Sequence, residues 1–169
     1  AVVITLSAVY AQLVMKFTTA QTISLILVVN ITAAIGAFVF GYVQDRLGHK
    51  KTLALTILLW IIMGVMAAFS QGPVTFWIAA NIAGVAMGSS QSAGRAVVAV
   101  FAPAGELAQF YSAWNVAVWG ANVLGPITYG TVTWLTSGDQ RTAILVTTLF
   151  FAIGLLILRR VHLPNKTLA

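Results

Sequence analysis

Eleven consecutive residues, Gly41-Tyr42-Val43-Gln44-Asp45-Arg46-Leu47-Gly48-His49-Lys50-Lys51, hold four of the twelve formal charges in this 169-residue chain. Their types suit an electrostatic contact. Asp45 can accept hydrogen bonds from a helix N-terminus or pair with an arginine, and Arg46 is its charged neighbour. Gly48 can take the positive φ of a tight turn, and Gly41 leaves room for a close helix approach. His49, Lys50 and Lys51 suit an anionic membrane surface. The plainer reading of Lys50 and Lys51 is a topological anchor, which leaves the Asp45–Arg46 pair between two glycines unexplained.

Polar groups within apolar runs are the second set. Asn115, Trp119, Asn122, Pro126 and Tyr129 fall near one face of a helix at 3.6 residues per turn. An unpaired amide facing lipid is costly, so this face is expected to look inward, each residue serving either a solute pathway or an interhelical hydrogen bond. Gly125-Pro126 removes one bond from the same helix and is expected to bend it. Arg95 and Glu106 are predicted at the same membrane boundary as Asp45 and Arg46. They form either an inner-face charge network that rearranges between states or independently solvated charges.

The acids are Asp45, Glu106 and Asp139, all at predicted boundaries, so this stretch supplies no mid-membrane carboxylate for proton coupling. His49 and His162 are also predicted at the edge. There is no metal-ligand cluster, phosphate-binding loop or nucleophile with a base, and therefore no sequence support for catalysis, a metal or a cofactor.

The elements that must position these groups follow from composition. A chain that is 60% hydrophobic and 7% charged is far from the soluble range, in which about a quarter of residues are charged. Residues 17–44, 52–94, 107–138 and 142–158 contain no Asp, Glu, Lys or Arg. Such runs predict membrane helices, since the alternation of a membrane barrel is absent. The expected fold is all-α and polytopic: a single bundle over residues 1–169 with spans at 1–15, 22–43, 51–70, 74–96, 107–135 and 141–159. As a helix the first span covers only about 22 Å, so the chain is expected to begin inside a helix and to be a piece of a longer protein. Ala80, Gly84, Gly88 and Ser92 recur every fourth residue, a ridge that lets another helix approach closely, within this bundle or from a partner. Gly36 and Gly41 are expected to act similarly in the second span.

If the charged stretch is cytoplasmic, seven of the nine Lys and Arg residues (Arg46, Lys50, Lys51, Arg95, Arg159, Arg160 and Lys166) lie on that side, with Lys16 and Arg141 opposite. Both ends of the chain then lie in the cytoplasm. The net charge of +6 reflects this topology, and no continuous basic face points to nucleic acid.

The stretch from Gly41 to Lys51 resembles the G-x-x-x-D-R-x-G-x-[RK]-[RK] signature of the major facilitator superfamily, which lies between the second and third helices of each six-helix half. Downstream, Gly88-Ser89-Ser90-Gln91-Ser92-Ala93-Gly94-Arg95, Pro103, Phe110-Tyr111, Gly125-Pro126 and Gln140-Arg141 are similar to the carboxy-terminal half of its vacuolar-effluxer-like branch. One departure is the fifth span, which is neutral from Leu107 to Gly138 where that branch carries a basic residue.

The resemblance implies a secondary transporter working by alternating access, with this chain as its carboxy-terminal half. Gly41, Asp45, Arg46, Gly48, Lys50 and Lys51 would then form a cytoplasmic latch whose acid docks on the opposite half. The first and fourth helices of each half line the cavity in this superfamily. Tyr10, Gln12, Asn81 and Gln91 therefore join Asn115, Trp119, Asn122 and Tyr129 as expected cavity residues. The implied partners are the lipid bilayer, a small polar solute such as an amino acid, and the amino-terminal six-helix half or an equivalent membrane partner. The implied location is a bacterial inner membrane or an internal compartment membrane. Two other readings are a transport-inactive module docked on another membrane protein, and a half-length transporter acting as a dimer.

Overall fold

The computed structural model describes residues 16–161. The expected first span with Tyr10 and Gln12, and also His162 and Lys166, lie outside the described residues. Five helices run through the described part: α1 (Thr19–Leu47), α2 (His49–Ala68), α3 (Pro73–Phe101), α4 (Leu107–Leu135) and α5 (Gln140–Arg160). They pass up and down between a Gly48 end and a Gly138 end. Three of them, α1, α2 and α5, are long and apolar enough to cross a membrane. The 29-residue helices α3 and α4 carry the amides Asn81, Gln91, Asn115 and Asn122, which lower their hydropathy.

Local chemistry sets the boundaries. Thr18 and Gln21 form a reciprocal capping box, with the Gln21 N–H donating to Thr18 Oγ1 and the Thr18 N–H to Gln21 Oε1. The residues expected to separate two spans therefore start α1 at Thr19, three positions before the predicted 22. Pro73 opens α3, where its missing N–H costs nothing. Asp139 caps α5 by accepting from the backbone N–H groups of Arg141 and Thr142.

The charged stretch differs most from expectation, because it is almost entirely helical. Helix α1 continues through Leu47 and α2 begins at His49, leaving Gly48 alone between them at φ 80° and ψ 165°. That combination is essentially open only to glycine, so one residue makes the whole reversal.

Small residues carry the packing. A Cβ at Gly88 would lie 1.8 Å from the Ala33 carbonyl oxygen, and one at Gly84 would lie 2.1 Å from Thr32 Oγ1 and 2.6 Å from Val29 O. A Cβ at Gly36 would meet Val85 O at 2.7 Å. The ridge expected on α3 therefore packs within the bundle, against α1, at backbone contact distance. Gly41 does not share this role, since nothing lies within 4 Å of a Cβ built there. Helices α2 and α5 run antiparallel in contact along their length. Gly64 abuts Thr148, Trp60 stacks on Phe151 with ring centroids 5.1 Å apart, and the Lys50 ammonium donates to the Arg159 carbonyl at 3.0 Å.

The interior tolerates its hydroxyls because each is satisfied close by. Buried Thr22, Thr52, Thr56, Ser70, Ser89 and Thr148 all donate to carbonyls three or four residues back. Among the described residues no buried side-chain nitrogen or oxygen lacks a partner. Large apolar side chains such as Ile31, Phe38, Leu58 and Ile157 face outward instead, as expected where lipid replaces water.

Candidate functional site

The Gly48 end is organised by residues on both sides of the reversal. One turn before it, Gln44 is only 5% exposed in the last turn of α1. Its amide nitrogen donates to His49 Nδ1 at 2.6 Å and points at the Ala93 carbonyl of α3 at 3.4 Å. Two residues after the reversal, Lys50 reaches the last turn of α5 and satisfies the Arg159 carbonyl, a favourable place for a cation at a helix C-terminus. The reversal is thus pinned to α3 on one side and α5 on the other.

Asp45 and Arg46 lie between these pins and are exposed on the final turn of α1. Neither makes an ion pair or side-chain hydrogen bond among the described residues. The helix geometry explains this. Gln44 points inward, and the next two positions, about 100° and 200° further round, are carried away from the bundle.

Among the described residues neither Arg95 nor Glu106 makes an ion pair or side-chain hydrogen bond with this pair. Helix α3 extends to Phe101, so Arg95 sits in its interior, with its guanidinium 5.9 Å from the Trp114 ring centroid. Tyr111 Oη donates to the Arg95 carbonyl at 3.0 Å. Glu106 occupies the N-cap position of α4 without a side-chain capping bond and is exposed. The arginine's neighbour is an aromatic face on α4.

Helix α4 is the least embedded element, with Tyr129 its only buried residue. Asn115, Trp119 and Asn122 share an exposed face, with Trp119 72% exposed. Tyr129 has turned from this face into the bundle, where its hydroxyl donates to Gln140 Oε1 at the start of α5. On α3, Gln91 is exposed, while Asn81 is half-buried and donates to its own Trp77 carbonyl at 2.8 Å. Pro126 sits inside α4, which is helical from Leu107 to Leu135. Lacking an N–H, it leaves the Asn122 carbonyl without its helical donor, so this exposed segment presents a main-chain acceptor beside the Asn122 amide.

Sequence reasoning missed Gln44 and the partner of Lys50. The first has no sequence signal that separates it from a solvent-facing glutamine, since its burial and its contact with α3 appear only in the fold. The second depends on a contact 109 positions away along the chain and has no local signature. At the Gly138 end, Arg141 donates to the Ser70 carbonyl at 3.0 Å, joining the α2–α3 and α4–α5 turns. Among the described residues no group of His, Cys, Asp and Glu could hold a metal ion.

The whole fold is similar to that of the xylose transporter XylE from E. coli in an inward-open conformation. The TM-score is 0.81 at 20% identity, over 99% of this chain and 45% of that one. XylE bound to 6-bromo-6-deoxy-D-glucose aligns with a TM-score of 0.79 at 19% identity, over 95% of this chain and 40% of that one. Among curated proteins, YxiO of Bacillus subtilis, named as an MFS-type transporter, is 27% identical over 143 residues, covering 85% of this chain and 33% of its own. A protein of Haemophilus influenzae named for metabolite transport is 34% identical over 133 residues, covering 76% of this chain and 32% of its own. The chain thus spans about a third of the length of the curated relatives it matches. The family model described as vacuole effluxer Atg22 like matches residues 1–168. With the charged reversal, the glycine-packed helices and this match over nearly every residue, the chain belongs to the Atg22-like vacuole effluxer family of major facilitator transporters.

Proposed function

We propose that this chain is one six-helix half of a secondary active transporter that moves a small polar solute by alternating access. Its Gly48 end would be the cytoplasmic latch. The observation that carries the reading is the division of labour around Gly48: Gln44 and Lys50 pin the reversal to α3 and α5, while Asp45 and Arg46 stay exposed and unpaired among the described residues. A latch that docks on another half needs a rigid mount and a free acid. Two halves with the solute held between them near the midplane are the general plan of such transporters. The exposed amides of Asn115 and Asn122, with Trp119 between them, supply one cavity wall. Neutral hydrogen-bonding groups beside an aromatic ring fit an uncharged or zwitterionic polar solute.

Solute counterflow in proteoliposomes containing the complete gene product tests this reading, with a panel of amino acids and pentoses. At least one solute is expected to exchange, and Asp45→Asn is expected to slow that exchange several-fold without loss of folded protein. A complete protein that exchanges none of the panel and co-purifies stoichiometrically with another membrane protein would replace this reading with that of a docked module.

A further inference from the structure

Arg95 is the one formal charge among the described residues that lies more than a turn inside a helix. It precedes the end of α3 at Phe101 by an unbroken apolar run, Ala96 to Val100. A guanidinium in such surroundings is costly unless water, an anion or an aromatic face meets it. Two aromatic residues of α4 fix it in place. Tyr111 Oη donates to the Arg95 carbonyl at 3.0 Å, and the guanidinium carbon lies 5.9 Å from the Trp114 ring centroid. Tyr111 and Trp114 in turn meet edge to face, with centroids 6.4 Å apart. An indole covers one face of the guanidinium plane and leaves the N–H groups at its edge free. Among the described residues those N–H groups meet no acceptor and no acid.

The space around the guanidinium is open. Gln91, one turn before Arg95 on the same face of α3, is also exposed. Helix α1 covers that face nearer the Gly138 end, at Gly84 and Gly88. Its last turn, however, reaches α3 through Gln44 at Ala93, about 200° round the helix from Arg95. Gln91 and Arg95 are thereby left uncovered, and Asn115 is the next exposed amide past Trp114 on α4. One cation among neutral donors matches one negative charge. The planar fork of a guanidinium pairs with a carboxylate through two parallel hydrogen bonds. A phosphate dianion calls for a second cation, and no other described residue supplies one within a helix interior.

We propose that Arg95 is a specificity-determining residue: its guanidinium, held on Trp114 and flanked by Gln91, binds the carboxylate of the transported solute at the Gly48-side end of the wall formed by α3 and α4. Among the uncharged and zwitterionic solutes that the amides alone admit, Arg95 selects those with a carboxylate. The assignment rests on the transporter reading of the chain and narrows its substrate class.

Ligand-induced thermal stabilisation of the purified complete gene product tests the site. The probes are a panel of amino and hydroxy acids, each beside its primary amide, which replaces the carboxylate by an uncharged isostere, and a set of pentoses. At least one acid is expected to raise Tm, with a Kd about tenfold or more below that of its amide, the worth of one hydrogen bond to a charged group. Arg95→Gln is expected to abolish that difference by weakening the acid and leaving the amide unchanged, and Arg95→Lys to retain part of it. The comparison of acid with amide in the unaltered protein depends on no variant folding. A panel in which no acid binds, or acids bind no better than their amides, would overturn the proposal. So would an Arg95→Gln variant that weakens acid and amide alike, the mark of a purely structural role. Solute exchange without any preference for acids would remove this proposal and leave the transporter reading standing. Acid binding that depends on Arg95 without any exchange would leave the site and remove the transporter reading.

Discussion

Gln44 shows how one side chain sets the geometry of its neighbours. Its amide joins α1 to His49 and faces the Ala93 carbonyl, which holds the last turn of α1 so that Asp45 and Arg46 face away. Gln44→Leu keeps the volume and removes both contacts. The expected cost is about 1 kcal/mol of stability, the usual net worth of such a bond, measured by thermal unfolding of the purified protein. Solute exchange should fall with it although Asp45 is intact. Asp139 gives a second prediction. Hydrogen bonds from the Thr142 side chain and from backbone N–H groups hold its carboxyl below the usual aspartate range. A lowered folded value means that its contribution to stability is complete above the ordinary range and is lost as pH falls through the folded value. The decline of Tm on the acid side should therefore be shallower in Asp139→Asn. At this scale Gly48 was legible, because only glycine accepts its backbone angles. Gln44 was not, because a lone glutamine reads alike whether it meets solvent or a carbonyl 49 residues away.

Helices α1 and α3 pack at backbone contact through Gly36, Gly84 and Gly88. A Cβ at Gly88 would meet the backbone of α1 at Ala33, which cannot rotate away as a side chain can. Gly88→Ala should therefore cost on the order of 1–3 kcal/mol, the usual range for overpacking, seen as a lower Tm with helical content retained. The spacing of four announced this ridge in the sequence, and its partner could be known only from the fold. Helix ends were less legible. Charges at residues 45–51 read as a loop because membrane spans avoid them, yet beyond the apolar region a helix gains hydrogen bonds by continuing. The same effect carries α3 past Arg95 to Phe101. Tyr129 shares a helical face with Asn115 and Asn122 by spacing alone, but the C-terminal part of α4 closes onto α5 while the preceding turns do not.

For the whole molecule, composition made the membrane class plain, and the order of motifs made the superfamily plain. Both were legible because a lipid environment demands long apolar runs and leaves few places for charge. The relation between the Gly48 end and the exposed face of α4 was not legible, since the two lie on different helices far apart in the chain. On the proposed reading, alternating access would make both features parts of one motion, with the latch holding the Gly48 end closed while the α4 face opens toward the Gly138 end. This chain contains no cysteine, so Asn122→Cys in a cysteine-free form of the complete protein would place a single reactive thiol on that face. The decisive measurement is the rate at which a membrane-impermeant maleimide labels that thiol from each side of sealed vesicles. Labelling from the Gly138 side should predominate with Asp45 present and shift several-fold toward the Gly48 side in Asp45→Asn. A thiol that labels from neither side, or a ratio that Asp45→Asn leaves unchanged, would contradict the account.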